Sequence, residues 1–311
     1  MKMKRFFVAI VTLVLAAAGL NAQDYNAAVD TFNSAATASD KAQAISLFRS
    51  AMEQFQACEG DEALEMVAQC KEQITRTYLN LAKEQINAAS YDDALASLQA
   101  TIENANEIGL ESVATEAASL IPNTYSRKGA TLLQAKDYAG AVQAMAQAVA
   151  LDPQNGQYQL IYGQALVGAG QVDEAITALG AAYELGQAAK AGKLLSSIYT
   201  SKGKTLSSNN RTAEAIEALL LAVNYNDAKA DAWFSLARCY TKSGNNVEAI
   251  NAYKKFLELQ PNHPQAVEII LTVAQTANSL NDKETAIEYY TKLLGTKYNQ
   301  EATAKLAELR R

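Results

Sequence analysis

The fold is decided by the stretch ADAWFSLARCYTKSGNNVEAINAYKKFLELQPN, residues 230–262. Its first half places Trp233, Leu236, Ala237 and Tyr240 at spacings of i, i+3, i+4 and i+7, which is one face of an α-helix. Gly244 and the two asparagines that follow it interrupt this pattern. The stretch therefore predicts a first helix that ends near residue 243.

A second apolar face follows the interruption and ends before Pro261, which cannot donate a helical hydrogen bond. Its members are Ala249, Ile250, Tyr253, Phe256 and Leu257. Together the two faces predict a helix-turn-helix hairpin. Such a hairpin leaves apolar surface uncovered on both sides, so it needs similar hairpins stacked against it.

The stretch resembles the tetratricopeptide repeat family, whose unit has 34 residues. Counted from Ala230 as position 1, seven of eight characteristic positions match, and the matching residues are Trp233, Leu236, Ala237, Tyr240, Ala249, Tyr253 and Pro261. Phe256 departs from the pattern at position 27, where a small residue is usual. The resemblance implies an all-α fold, a right-handed superhelical solenoid of helix-turn-helix repeats.

The same pattern recurs along the chain, so we predict a solenoid over residues 23–311. The predicted repeats are 25–58, 75–108, 122–155, 156–189, 196–229, 230–263 and 267–300, followed by a charged capping helix at 301–311. Extra residues separate some repeats, at 59–74, 109–121, 190–195 and 264–266. Their helical pattern indicates longer first helices or short added ones, and Pro122 predicts a break or a kink.

The first 22 residues have the composition of a secretory signal peptide. Lys2, Lys4 and Arg5 precede an uncharged apolar run at 6–18, which is short for a membrane span. We expect cleavage after Ala22, with Ala18 as the alternative, and an exported protein in the periplasm or outside the cell. No later run is apolar and long enough for a membrane helix.

Three cysteines remain after the predicted signal peptide. Cys58 and Cys70 flank a short acidic stretch, and an exported compartment permits a disulfide between them. The alternative is two unpaired thiols on helix faces. Cys239 lies beside Tyr240 within a predicted helix, which favours a small buried residue.

Charge is unevenly distributed in this chain of formal net charge −6. Residues 24–120 carry sixteen acidic and five basic side chains, whereas 121–311 carry seventeen and nineteen. Clustered lysine and arginine, which nucleic-acid binding requires, are absent from the sequence. The acidic part favours a solvated surface, with a basic partner as the alternative.

The sequence contains no motif that predicts an enzyme. It lacks a glycine-rich phosphate loop, a Gly-x-Ser-x-Gly elbow and paired metal ligands, so we expect no catalytic residues, no metal and no cofactor. Its single histidine, His263, lies between two prolines in a predicted turn. This position favours an exposed linker residue over a catalytic base.

The resemblance implies a concave groove lined by positions 2, 5, 9, 12 and 13 of the first helices. In the quoted repeat these positions hold Asp231, Phe234, Arg238, Thr241 and Lys242, and position 9 is a lysine in two other repeats. The candidate partner-binding residues are Lys83, Asn87, Lys204, Phe234, Arg238 and Lys242. They suit a carboxylate or an acidic peptide, against the alternative of a general polar groove. Tyr158 and Phe234 are aromatic residues outside the predicted packing positions.

These observations predict a scaffold in the cell envelope that binds a protein or peptide in its concave groove. Two alternatives come from other classes of protein. One is a structural or assembly factor that acts by self-association. The other is a glycan-binding accessory protein, for which the usual aromatic insertions are missing.

Overall fold

The structure, a computed structural model, describes the backbone of residues 20–311 and the side chains of residues 23–311. Within this range the regular structure is helical and contains no strand. None of the described helices combines the length and the apolar character needed to cross a bilayer. The predicted signal peptide, residues 1–22, lies outside the residues whose side chains are described.

The chain forms two compact units that divide after residue 154. Unit 1 contains α1 (Leu20–Thr37), α2 (Lys41–Gln56), α3 (Asp61–Asn87), α4 (Tyr91–Glu107), α5 (Glu111–Gln134) and α6 (Tyr138–Leu151). Unit 2 contains α7 (Gly156–Gly168), α8 (Val172–Ala182), a π-helical turn (Tyr183–Gln187), α9 (Ala188–Ser208), α10 (Thr212–Tyr225), α11 (Ala230–Ser243), α12 (Asn246–Leu259), α13 (Ala266–Ser279), α14 (Lys283–Lys292) and α15 (Asn299–Leu309).

Each odd-numbered helix from α1 to α13 packs against the even-numbered helix that follows it, which gives a series of hairpins. The extra residues between the predicted repeats belong mainly to the starts of first helices. α3 begins at Asp61 and α5 at Glu111, so both are longer than the 14-residue α11. The break predicted at Pro122 is absent, because α5 continues through it as one helix.

Six hairpins close with the same backbone turn. A residue one or two positions past the end of the first helix adopts a left-handed conformation, and the next residue donates its N–H to a carbonyl five residues back, as in a Schellman motif. The left-handed residues are Ala89, Lys136, Gly170, Asn210, Gly244 and Asn281. Only two of them are glycine, so the turn is set by the packing of the two helices as much as by local preference.

Small residues let the two helices of a hairpin approach closely. A Cβ atom on Gly203 would lie 2.5 Å from Cγ of Leu219, and one on Gly163 would lie 2.6 Å from Cγ of Leu179. Both leucines are fully buried. In these two hairpins the pairing of position 8 with position 24 brings the helices close together, because a larger residue in place of Gly163 or Gly203 would meet a filled core.

The quoted repeat lies in the main core of unit 2. Leu236, Ala237 and Phe256 are buried there, and half-buried Trp233 packs against the same core. The indole N–H of Trp233 donates to the carbonyl oxygen of Asp227 at 2.7 Å. This bond satisfies the polar end of the ring while its apolar body contacts the core.

The predicted disulfide between Cys58 and Cys70 is not formed, and all three cysteines are free thiols. Cys58 lies in the turn after α2, where its thiol donates to the carbonyl oxygen of Gln54 at 3.3 Å. Cys70 lies fully buried within α3, nine residues beyond Asp61. A helix rises about 1.5 Å per residue, so this is roughly 14 Å along the helix, whereas a disulfide needs Cα atoms within about 7 Å.

Burial changes the chemistry of these two thiols. Desolvation raises the pKa of the Cys70 thiol to about 12. The pKa of the Cys58 thiol is also raised, first by desolvation and then by the nearby carboxylate of Asp24. Both environments disfavour the thiolate, which is the form that reacts.

Candidate functional site

The candidate site lies on first helices in unit 2, and we call it the groove face. It is defined here by Lys204 on α9 and by Asp231, Phe234, Arg238 and Lys242 on α11. Four of these residues are exposed, and Phe234 is half-buried. The helical period places the α11 members on one side of that helix, because they follow one another at spacings of three and four residues.

Phe234 is packed into an aromatic cluster at one end of the hairpin. Its ring centroid lies 5.0 Å from that of Phe256 and 6.3 Å from those of Tyr253 and His263. The residue therefore contributes to the hairpin core as well as to the groove face. Its exposed fraction is available to a ligand as a fixed apolar surface.

His263 was wrongly predicted to be an exposed linker residue. It is half-buried, and its ring meets Phe256 edge-on with centroids 5.1 Å apart. Its Nδ1 accepts a hydrogen bond from the backbone N–H of Gln265 at 3.2 Å. The sequence contained one indication of this contact, which is Phe256. A large ring at a position that usually holds a small residue needs a neighbour to cover it.

Arg238 is a cation of the groove face that lacks an acidic partner. Its guanidinium carbon lies 5.8 Å from the centroid of the Phe234 ring, one turn earlier on α11. Among the described residues, no carboxylate lies within ion-pair distance of it. The cation–π contact holds the guanidinium over the ring without neutralising its charge.

Lys204, by contrast, is already paired. Its Nζ lies 2.5 Å from Oδ2 of Asp231, so two residues predicted to line the groove bind each other across successive first helices. Equivalent positions repeat this arrangement, with Gln275 on α13 donating to Glu301 on α15 at 2.9 Å. These contacts connect neighbouring hairpins, and as exposed pairs they contribute little to stability.

Lys242 has a neutral partner. Its Nζ donates to Oδ1 of Asn210, in the turn after α9, at 2.7 Å. On α13, Glu268 pairs with Lys297, and the hydrogen bond from this lysine lowers the pKa of the Glu268 carboxyl. Lys242 therefore keeps its charge available to a ligand, whereas Glu268 is already satisfied on one oxygen.

The other two candidate residues, Lys83 and Asn87, lie on α3 in unit 1. Nζ of Lys83 pairs with Oε1 of Glu116 on α5 at 2.7 Å, in the same manner as Lys204 with Asp231. Asn87 is exposed at the last residue of α3. Tyr158, the second aromatic residue noted from the sequence, is half-buried in the first turn of α7. The structure thus assembles Phe234, Arg238 and Lys242 into one surface and leaves these three residues elsewhere.

Models of the family described as tetratricopeptide repeat match most of the second half of the chain. The matched residues are 132–198, 196–229, 230–263 and 267–299. Together these matches cover more than half of the sequence. No curated protein matches it.

Several solved structures resemble the fold at low identity. MamA is 23% identical over 60% of this chain and 96% of its own, with a TM-score of 0.36. YrrB, described as a TPR protein with an unusual peptide-binding site, is 21% identical over 62% of this chain and 89% of its own, with a TM-score of 0.36. PilF of Pseudomonas aeruginosa is 18% identical over 76% of this chain and 99% of its own, with a TM-score of 0.35. Scores this low transfer no property of those proteins to this one.

Proposed function

We propose, because the chain belongs to the tetratricopeptide repeat family, that it is a scaffold of the cell envelope and binds a protein or peptide segment on the groove face of unit 2. Proteins of this family bind protein or peptide partners and are generally non-catalytic. The groove face has the composition expected of such a surface, with an aromatic ring beside two basic side chains.

The observation that carries the proposal is the free charge of Arg238. The lysines at the same repeat position, Lys83 and Lys204, are paired with acids, whereas Arg238 is held over Phe234 with no acidic partner in the described chain. A carboxylate of a bound segment can therefore form a charge-assisted pair with the guanidinium without displacing an internal one. An apolar residue of the same segment can cover the Phe234 ring.

The scaffold lowers the entropic cost of binding by holding these groups in place before the partner arrives. Phe234 is fixed by the aromatic cluster, and Lys242 is oriented by Asn210. Fewer rotamers are then lost on association than with flexible side chains. We expect an acidic segment with a neighbouring apolar residue to be the preferred ligand.

The experiment selects peptides from a displayed random library on the purified full chain and titrates the best one by fluorescence anisotropy. The double variant Arg238→Glu, Lys242→Glu should weaken binding by about tenfold or more, because it replaces two attractive charges with repulsive ones. Helicity and the melting temperature should stay unchanged, since both residues are exposed.

The matched control is Lys254→Glu, Lys255→Glu on α12, the second helix of the same hairpin. It makes the same change in net charge away from the groove face. Equal loss of affinity in the two double variants would show a non-specific charge effect and would contradict the proposed site.

Location in the envelope is supported by the basic residues Lys2, Lys4 and Arg5 before the apolar run at 6–18. We expect the mature protein to begin at Gln23. Intact-mass measurement of the protein recovered from a periplasmic extract tests this, and a chain that retains residues 1–22 in the cytoplasm would refute it.

A further inference from the structure

Unit 1 contains a cavity of about 350 Å³, and none of the groove-face residues lines it. It is lined by the last turns of α2, by α3 and by the last turn of α4, so two of its three walls are second helices. α4 has 17 residues, whereas α10 and α12 have 14 each. Glu107 is the last residue of α4, and it therefore lies in the part by which α4 is longer than α10 and α12.

Two apolar side chains contribute to the lining of the cavity. Ile74 of α3 is 4% exposed, and half-buried Met52 of α2 lies beside it in the lining. Its volume is near the lower end of the range for small-molecule sites, which is about 300–1,000 Å³. A ligand of one or two amino-acid residues fits such a space better than a long segment.

Two charged side chains of α2 line the cavity, and neither forms an ion pair with any residue that the structure describes. Arg49 donates from Nη2 to the hydroxyl of Tyr78 at 3.0 Å, and its guanidinium carbon lies 5.9 Å from the centre of that ring. Glu53 is one turn further along α2 and pairs with no basic group in the described part of the chain. The spacing of four residues allows an Arg49–Glu53 ion pair, but the bond to Tyr78 turns the guanidinium away.

One ion pair also lines the cavity. Nζ of Lys71 lies 2.7 Å from Oε1 of Glu107, and both side chains are substantially exposed. This pair is internally neutral. The cavity is thus lined by one guanidinium and one carboxylate that form no ion pair in the described chain, together with two apolar side chains.

We propose that this cavity binds a short zwitterionic peptide, namely a dipeptide with an aliphatic side chain. Its carboxylate pairs with Arg49, its ammonium group pairs with Glu53, and its side chain covers Ile74 and Met52. A simple anion is a poorer match because unit 1 is strongly acidic overall. A simple cation leaves Arg49 without a partner.

Isothermal titration calorimetry of the purified full chain with alanyl-leucine tests the proposal. We expect saturable binding that falls by about tenfold or more when the dipeptide is N-acetylated or C-amidated, because each modification removes one charge-assisted contact. Glu53→Gln and Arg49→Gln should each weaken binding of the free dipeptide to a similar extent.

The control variant is Arg76→Gln, which does not line the cavity and whose partner is Glu72 on the same helix. It should bind alanyl-leucine as the unmodified chain does. The groove-face variant Arg238→Glu, Lys242→Glu should also keep this binding, so failure here is distinguishable from failure of the proposed function.

Circular dichroism melting shows whether each variant is folded. Absence of heat with alanyl-leucine, equal affinity for the capped dipeptides, or unchanged binding in folded Glu53→Gln would each overturn the proposal.

Discussion

Unit 1 and unit 2 use the same hairpin with different helix lengths, charges and turn residues. In unit 1, α3 has 27 residues and α5 has 24, whereas α10 to α13 in unit 2 have 14 each. Residues 23–154 carry eighteen acidic and eight basic side chains, against fifteen and sixteen in residues 155–311. The family models match mostly unit 2.

The difference shows which part of the pattern the fold requires. Unit 1 keeps the small residue opposite the large one and the turn with its left-handed residue, although its helices are longer and its turns use Ala89 and Lys136 in place of glycine. Helix packing therefore specifies the hairpin, and the long α3 and α5 show that the fold does not require first helices of one length.

The largest effect is expected from the buried leucine at position 24. Leu219→Ala should lower the free energy of unfolding by about 2–5 kcal/mol, because it leaves a cavity in a fully buried site. Chemical denaturation measures the loss. Its neighbour Leu220 is 44% exposed, so Leu220→Ala is the control and should cost far less. Similar losses in the two variants would contradict the packing assignment.

A smaller loss is expected at the close approach of α9 and α10. Gly203→Ala should destabilise by about 1–3 kcal/mol, because the new methyl group meets Leu219. Gly180→Ala in α8 adds the same methyl group where no atom lies within 4 Å, and it should stabilise by about 0.5–1 kcal/mol through helix propensity. Changes in stability of the same sign at both sites would show that helix propensity, and not packing, determines the effect of the added methyl group.

Substitutions at the left-handed turn residues compare the two units directly. Lys136→Gly in unit 1 should stabilise by about 1 kcal/mol, because it removes the cost of a left-handed side-chain residue. Gly170→Ala in unit 2 should destabilise by a similar amount, roughly 1 kcal/mol. Thermal melting of both variants measures the two shifts. A loss of stability in Lys136→Gly would mean that its side chain makes a compensating contact.

The smallest effect on stability, with a clear chemical readout, concerns Cys70. With a pKa raised to about 12, only roughly one thiol in ten thousand is ionised at pH 8, so the native protein should resist alkylation at this residue. The neutral thiol is favoured by folding, so this contribution to stability is present below about pH 9 and is lost as the pH rises toward 12. Peptide mass spectrometry after alkylation in native buffer and in denaturant measures the contrast. Rapid native labelling would contradict the burial.

The hairpins and their core were readable from the sequence because helical periodicity and the small-to-large pairing are local patterns. Leu236, Ala237 and Tyr253 were assigned to the core in this way, and all three are buried. The failures involve geometry between elements. The prediction of a Cys58–Cys70 disulfide did not take into account the rise along α3. The ring contacts of His263 form only when the two helices of the hairpin pack together.

The same limit applies to the groove face. Position 9 was predicted to hold groove-lining cations in three repeats, but spacing alone does not show that Lys204 meets Asp231 of the next repeat. That contact depends on how one hairpin lies on another. Arg238 therefore could not be distinguished from Lys204 before the structure placed an acid beside only one of them.

The shared turn of the six hairpins has a consequence for how such a chain can grow. Each hairpin closes through a hydrogen bond from a backbone N–H to a carbonyl five residues back, whichever side chain occupies the left-handed residue. A copied or deleted hairpin therefore brings its own closure with it. Gene duplication in whole hairpins can then lengthen or shorten the array without redesigning a junction inside the copied unit.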